Sequence, residues 1–235
     1  MRVLITRPFS EAEPLAEILR ERGFETCISP VMEIVPLEFI PPSDRNYRAV
    51  VLTSGNAVGA LVAAKLPPDL PVFCVGDATA RRLAATEFTD IRSASGDSED
   101  LVALIARDLK PAGDPLLYLS GMMIAADIGA ALDDAGFAVD RHVVYRAQGI
   151  ATPNEAVVAA LAAGSVDGVL LYSPRSARIF LDHLNGAKLD LMAKEMTAYC
   201  ISNAAADVAR NLQWRKVAIA SRPTQKDLLA LLPKS

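Results

Sequence analysis

Tyr145 closes the run His142-Val143-Val144-Tyr145-Arg146. A tyrosine beside a bound ligand can donate a hydrogen bond or a proton to a leaving group. At a strand end it can equally be a packed amphipathic side chain. The other chemically promising stretches are six short segments rich in Ser, Thr, Gly and Asn: Thr6-Arg7-Pro8, Thr53-Ser54-Gly55-Asn56, Gly76-Asp77-Ala78-Thr79, Ser120-Gly121, Ser173-Pro174-Arg175-Ser176 and Ser202-Asn203-Ala204. Most lead straight into a helical pattern, where backbone N–H groups at the positive helix end suit a phosphate or carboxylate. The same residue types also serve as ordinary N-caps. The candidate binding residues are therefore Thr6, Arg7, Ser54, Gly55, Asn56, Gly76, Thr79, Ser120, Gly121, the strand-end Tyr172, Ser173, Arg175, Ser202, Asn203 and Ala204. Arg175 could pair with a ligand carboxylate or stand solvated at a helix start.

Familiar cofactor patterns are missing. There is no G-x-G-x-x-G, no Walker loop and no G-x-S-x-G. His142 and His183 lack metal-ligand spacing, and Asp133-Asp134 reads as a solvated helix face. Cys27, Cys74 and Cys200 are odd in number and far apart, so neither a disulfide framework nor a zinc site is expected. No cofactor and no metal are expected. Such an enzyme would work by positioning a reactive substrate.

These segments need a scaffold, and the apolar pattern supplies one. Runs at 2–6, 49–53, 72–75, 115–119, 167–172 and 197–201 are short and apolar without polar alternation, as strands buried on both faces are. Shorter candidates lie at 25–28, 91–93, 138–145 and 217–220. Helical patterns at 10–22, 98–109 and 124–135 alternate with them, and Gly23 and Gly136 mark two helix ends. Strand–helix alternation of this kind predicts α/β architecture with parallel sheets. Ligands then bind at the carboxyl ends of the strands, which is where the six segments fall.

The pattern occurs twice. Residues 3–5 with Gly23-Phe24 match 116–118 with Gly136-Phe137, an offset of 113; 51–54 match 170–173, an offset of 119; 74–76 match 200–202, an offset of 126, as do Ala94-Ser95 and Ala220-Ser221. Three modules recur in order, so two similar α/β units are expected, with crossings near 35–46 and 148–153.

The chain has 235 residues, 51% apolar and 22% charged, with net charge −4. That composition supports a sizeable core and argues against disorder. A nucleic-acid binder would more often carry a basic stripe, so no nucleic-acid partner is expected. No stretch reaches about 18 apolar residues, so no membrane span is expected. The start shows no secretory pattern, and a cytoplasmic location follows as the expectation.

Val3-Leu4-Ile5-Thr6-Arg7-Pro8, Leu52-Thr53-Ser54-Gly55-Asn56-Ala57-Val58, Val75-Gly76-Asp77-Ala78-Thr79-Ala80, Ser98-Glu99-Asp100-Leu101, Val144-Tyr145-Arg146 and Pro223-Thr224-Gln225-Lys226-Asp227-Leu228-Leu229 together resemble the uroporphyrinogen-III synthase family. The set is collinear over nearly the whole chain. The resemblance implies two Rossmann- or flavodoxin-like domains, 1–35 with 150–235 and 36–149, joined by a two-stranded linker. It implies a cofactor-free lyase, expected to be a monomer, that acts on hydroxymethylbilane. The substrate loses its hydroxyl to give an azafulvene, closes through a spiro intermediate and yields uroporphyrinogen III with the last pyrrole inverted. It implies that Tyr145 assists loss of the hydroxyl. Where the family often has Gly-Pro-Thr-Thr-Ala, this chain reads Ser202-Asn203-Ala204-Ala205-Ala206, so two hydroxyls are missing. A non-catalytic tetrapyrrole- or anion-binding paralogue of the same fold is the alternative.

Overall fold

The computed structural model describes residues 1–94, 96–124 and 126–233. The strands are Arg2–Ile5 (β1), Glu25–Ile28 (β2), Met32–Pro36 (β3), Ala49–Leu52 (β4), Val72–Cys74 (β5), Ile91–Ser93 (β6), Leu116–Gly121 (β7), Val139–Gly149 (β8), Gly168–Leu171 (β9), Thr197–Cys200 (β10) and Lys216–Ile219 (β11). The helices are Phe9–Glu21 (α1), Val58–Ala63 (α2), Asp77–Leu83 (α3), Ser98–Asp108 (α4), Ile128–Asp134 (α5), Glu155–Ala162 (α6), Pro174–Gly186 (α7), Asn203–Ala209 (α8) and Gln225–Leu229 (α9). Two compact units result: Met1–Glu33 with Gln148–Ser235, and Ile34–Ala147. The chain crosses between them inside β3 and inside β8, which are sheet neighbours.

The first unit holds a sheet of order β11-β10-β9-β1-β2, the second one of order β3-β8-β7-β4-β5-β6. Pairings of β1 with β2 and β9, of β10 with β9 and β11, of β4 with β5 and β7, and of β7 with β8 are all parallel. The sequence repeat maps one order onto the other: β1, β2, β9, β10 and β11 correspond to β7, β8, β4, β5 and β6. In each sheet the repeated module at β1 or β7 pairs with a strand of the other repeat half, β1 with β9 and β7 with β4.

The apolar runs behave as strands buried on both faces. Along β4, Val50 and Leu52 enter one core cluster while Ala49 and Val51 enter another. Along β1, Leu4 faces one cluster and Val3 and Ile5 face the other. A side-chain period of two therefore feeds two layers of helices at once. The glycine stops work as paired devices. Gly23 (φ 80) and Gly136 (φ 86) take left-handed backbone. Phe24 N–H reaches Leu19 O at 3.0 Å and Phe137 N–H reaches Leu132 O at 3.0 Å, closing two Schellman ends with buried phenylalanines.

Three expectations shift. The helix expected over 124–135 begins at Ile128, because the Asp127 carboxylate accepts from Ala130 N–H and caps it there. Residues 32–36 form a strand that runs into the expected crossing, and β8 runs on to Gly149. Backbone pairing between neighbours holds both although their side chains are half-exposed. Ser95 of the matched pair and Ala125 of the helical segment lie outside the described residues. Among the described residues no helix is long and apolar enough to cross a membrane.

A polar clasp holds the segment after β3 onto β8. Tyr47 donates to Asp140 Oδ2 at 2.7 Å, Arg45 donates to the same oxygen at 3.0 Å, and Phe39 packs on the His142 ring at 4.8 Å. His142 Nε2 lies 3.1 Å from Asp140 Oδ1, outside regular hydrogen-bond alignment. Burial alone would raise the Asp140 pKa, but Tyr47, His142 and Arg45 outweigh it and hold the carboxyl below its ordinary value. A depressed folded pKa gives stability that is present above the ordinary value of about 3.9 and lost as pH falls through the folded one. Asp140→Asn is therefore expected to cost about 1–2 kcal/mol at neutral pH. It should also flatten the acid limb of a melting-temperature profile between roughly pH 5 and 2. An unchanged limb would show that the clasp contributes nothing there.

Candidate functional site

In the second unit the carboxyl ends of β4, β5 and β7 surround a cavity of about 250 Å³. Its polar lining residues are Thr53, Ser54, Ser98, Tyr118 and Tyr145; its apolar ones include Val75, Met123, Ile124 and Ile128. Each arrives by a local cause. Ser54 ends β4 in extended backbone and accepts from Asn56 N–H at 3.2 Å, starting a 3₁₀ turn over Gly55–Ala57. Gly55 leaves room for Arg82, whose Cδ would stand 2.7 Å from a Cβ there, so a guanidinium stem lies on that turn. Gly76 caps α3 in extended backbone with open space beside it.

Tyr145 is half-buried and its ring lies over the Gly121 backbone. No described residue hydrogen-bonds its hydroxyl, which lines the cavity. Tyr118 is fully buried from its strand, and its hydroxyl meets the Thr53 side chain at the cavity wall. Burial raises the Tyr118 pKa, opposed by Thr53 and by the charge of Arg141. The Arg141 guanidinium stands 5.9 Å from the Tyr118 ring and donates to Ser120 Oγ at 2.9 Å and Gly121 O at 3.3 Å.

In the first unit the corresponding strand ends carry a different constellation. Arg7 lies over the Tyr172 ring at 4.5 Å, donates to Gln225 Oε1 at 3.1 Å and pairs with Glu11. Among the described residues the buried Tyr172 hydroxyl has no hydrogen bond of regular geometry, and the Arg7 guanidinium lies beside it. Burial pushes the Tyr172 pKa up to about 12, against the pull of the Arg7 charge. Ser173 Oγ accepts from Ser176 N–H at 3.0 Å, and Ser202 Oγ accepts from Ala205 N–H at 3.3 Å. Arg175, Asn203 and Ala204 stand exposed on the first turns of α7 and α8.

The candidate residues divide accordingly. Ser54, Gly121 and Tyr145 share one cavity, with Gly55, Asn56 and Gly76 on the adjoining turns. Arg7 and Tyr172 form a cluster of the first unit. Four of the candidate side chains are buried or already engaged within the fold. Thr6 is fully buried and donates to Leu170 O at 2.7 Å, Thr79 is buried, and the Ser120 hydroxyl is buried and holds Arg141. Arg7 is already engaged by Glu11, Gln225 and Tyr172. Sequence reasoning placed Thr53 in a candidate segment but missed Ser98, Tyr118, Arg82 and Met123. Tyr118 read only as a strand residue, and no spacing rule singles it out. Among the described residues no cluster of His, Cys, Asp and Glu could hold a metal. A larger depression of about 480 Å³ in the first unit, lined by Arg2, Arg20 and Phe24, lies along edge strand β2, away from these loops.

Comparison with known proteins adds a second line. The family described as uroporphyrinogen-III synthase HemD matches the chain over residues 13–230. A porphyrin biosynthesis protein HemD of Ruminiclostridium josui is 24% identical over 241 residues, which covers 95% of this chain and 46% of that protein. The chain thus spans about half the length of that relative. The uroporphyrinogen-III synthetase of Helicobacter pylori superposes with TM-score 0.61 at 17% identity, covering 98% of each chain, and shares the fold. A mutant uroporphyrinogen III synthase of Thermus thermophilus gives TM-score 0.47 at 17% identity, over 98% of this chain and 96% of that one.

Proposed function

The chain belongs to the uroporphyrinogen-III synthase family, and from that premise we propose that it is a hydro-lyase closing hydroxymethylbilane to uroporphyrinogen III with loss of water and inversion of the last pyrrole. The observation that carries the proposal in this molecule is the Tyr145 hydroxyl, unpartnered among the described residues, at a cavity lined by both polar and apolar side chains. Tyr145 gives its proton to the departing hydroxyl, which leaves as water, and the pyrrole N–H proton lost as the azafulvene forms makes good that proton. The pyrrole nitrogen lone pair pushes the hydroxyl out and leaves an azafulvene. The substituted carbon of the last ring then attacks the exposed methylene to form a spiro centre. The bond from that centre to its original methylene then breaks and re-forms at the free α-carbon on the other side of the ring nitrogen, and loss of the proton from that carbon restores the aromatic pyrrole, now inverted.

The pyrrole system supplies the electrons for every step, so the protein's task is geometric. The substrate also closes without inversion, and the enzyme must favour the harder attack by holding one fold of the chain. Val75, Met123, Ile124 and Ile128 offer apolar contact to pyrrole faces, and Thr53, Ser54 and Ser98 offer polar atoms to side-chain carboxylates. Backbone N–H groups at the turns after β4 and β5 are further donors to carboxylates.

A coupled assay tests the proposal. Hydroxymethylbilane is generated in place, the protein is added, and the oxidised product is separated by isomer. The expected outcome is a shift from type I to type III. Persistent type I with folded protein would overturn the activity, and tetrapyrrole binding would then identify a binding paralogue.

A further inference from the structure

Strict alternation along β8 would turn Tyr145 the wrong way. Asp140 and His142 face the cluster that contains Tyr47 and packs Phe39, while Arg141 faces Tyr118 on the opposite side. Counting by twos, Tyr145 belongs with Arg141. It packs instead beside Val144 in the Tyr47 cluster. The cause lies in the register with β7. Ser120 pairs with Val143, but Gly121 pairs with Tyr145, so Val144 is an extra residue in β8. A bulge of one residue re-aims every side chain beyond it. Met122 N–H donates to Tyr145 O at 2.9 Å, and Arg141 grips Ser120 and Gly121, so the bulge is fastened from both strands.

Gly121 completes the device. A Cβ at that position would stand 2.7 Å from Tyr145 Cζ, 2.8 Å from Cε2 and 2.9 Å from the hydroxyl oxygen. Alternation along β7 points that Cβ to the same side as Leu117 and Leu119, the side to which the bulge has turned Tyr145. The hydroxyl end of the phenol therefore occupies the space that a side chain at 121 would take.

We propose that Gly121, within the β7–β8 bulge, is the positioning residue that aims the Tyr145 hydroxyl into the cavity. The inference rests on the proposed role of Tyr145 in the ring closure. A methyl group at 121 lifts the ring and moves the hydroxyl on the scale of an ångström. Displacements of that size cost up to about 100-fold in rate.

The test is a double-mutant cycle of Gly121→Ala and Tyr145→Phe, read as kcat and KM for type III formation. Gly121→Ala is expected to lower kcat by about 10–100-fold with KM nearly unchanged, and to add almost nothing in the Tyr145→Phe background. An equal loss in both backgrounds, or no loss in either, overturns the positioning role while leaving Tyr145 as the donor. If Tyr145→Phe itself changes nothing, the donor reading fails instead. If Gly121→Ala does not fold, Tyr145→Ala in the same chain is expected to restore the melting transition by removing the ring. Failure of that rescue would show that the clash lies elsewhere and would overturn the proposal.

Discussion

Tyr145→Phe is expected to lower kcat for type III formation by about 10²–10⁴-fold, the usual contribution of a positioned acid. Substrate affinity and folding should stay nearly intact. The ring remains and its packing on Gly121 is preserved. The hydroxyl makes no hydrogen bond to a described residue, so its removal strands no partner among them. A change confined to kcat is the signature of an interaction made mainly in the transition state. Because type I closure needs no enzyme, the variant's product mixture should revert toward type I. Wild-type turnover in the variant would remove the acid role. A raised KM with unchanged kcat would make Tyr145 a binding group only.

The second large effect is on stability. Phe73 is fully buried in β5, in the cluster with Leu101, Ile105 and Tyr118. Arg92 covers it at 5.2 Å and is itself fixed to Asp90 at 2.7 Å and Asp108 at 3.0 Å. Phe73→Ala leaves a void under a guanidinium that two aspartates keep in place. The expected cost is about 3–5 kcal/mol, against a typical domain stability of about 5–15 kcal/mol. Urea unfolding should show a lower midpoint at an unchanged slope. A loss under about 1 kcal/mol would mean that Tyr118 and the α4 side chains collapse into the space.

Much of this architecture was legible in the residues. Central strands such as β4 and β9 are short apolar runs, and burial on both faces is what makes them so. Paired Gly-Phe stops and collinear matches revealed the repeat. Strand β3 escaped notice because Met32-Glu33-Ile34-Val35-Pro36 is half-exposed and owes its form to a neighbour distant in sequence. The start of α5 was misplaced because Ile124 and Ile128 fit the same apolar spacing, and only the Asp127 cap chooses between them. At the site, the turns were visible from their glycines and hydroxyls. Whether each hydroxyl was free was not. Thr6 and Ser120 spend theirs on Leu170 and Arg141, partners set by tertiary packing. The Tyr118–Thr53 contact and the extra residue at Val144 depend on the register between two strands, which apolar patterning does not encode.

The exchanged module has a kinetic side. The Ile34–Ala147 unit is contiguous, so it can finish its sheet as soon as it leaves the ribosome. The other unit begins first and ends last. Arg2 N–H meets Asp167 Oδ2 across 165 residues, and β1 has no central partner until β9 is made. Until then Val3, Leu4 and Ile5 wait beside an unpaired edge, the kind of surface that recruits other chains. The finished second unit meanwhile draws the ends of a long loop toward each other, which lightens the entropic cost of closing it. A unit that splits its chain around another thus makes its neighbour's folding a step in its own assembly.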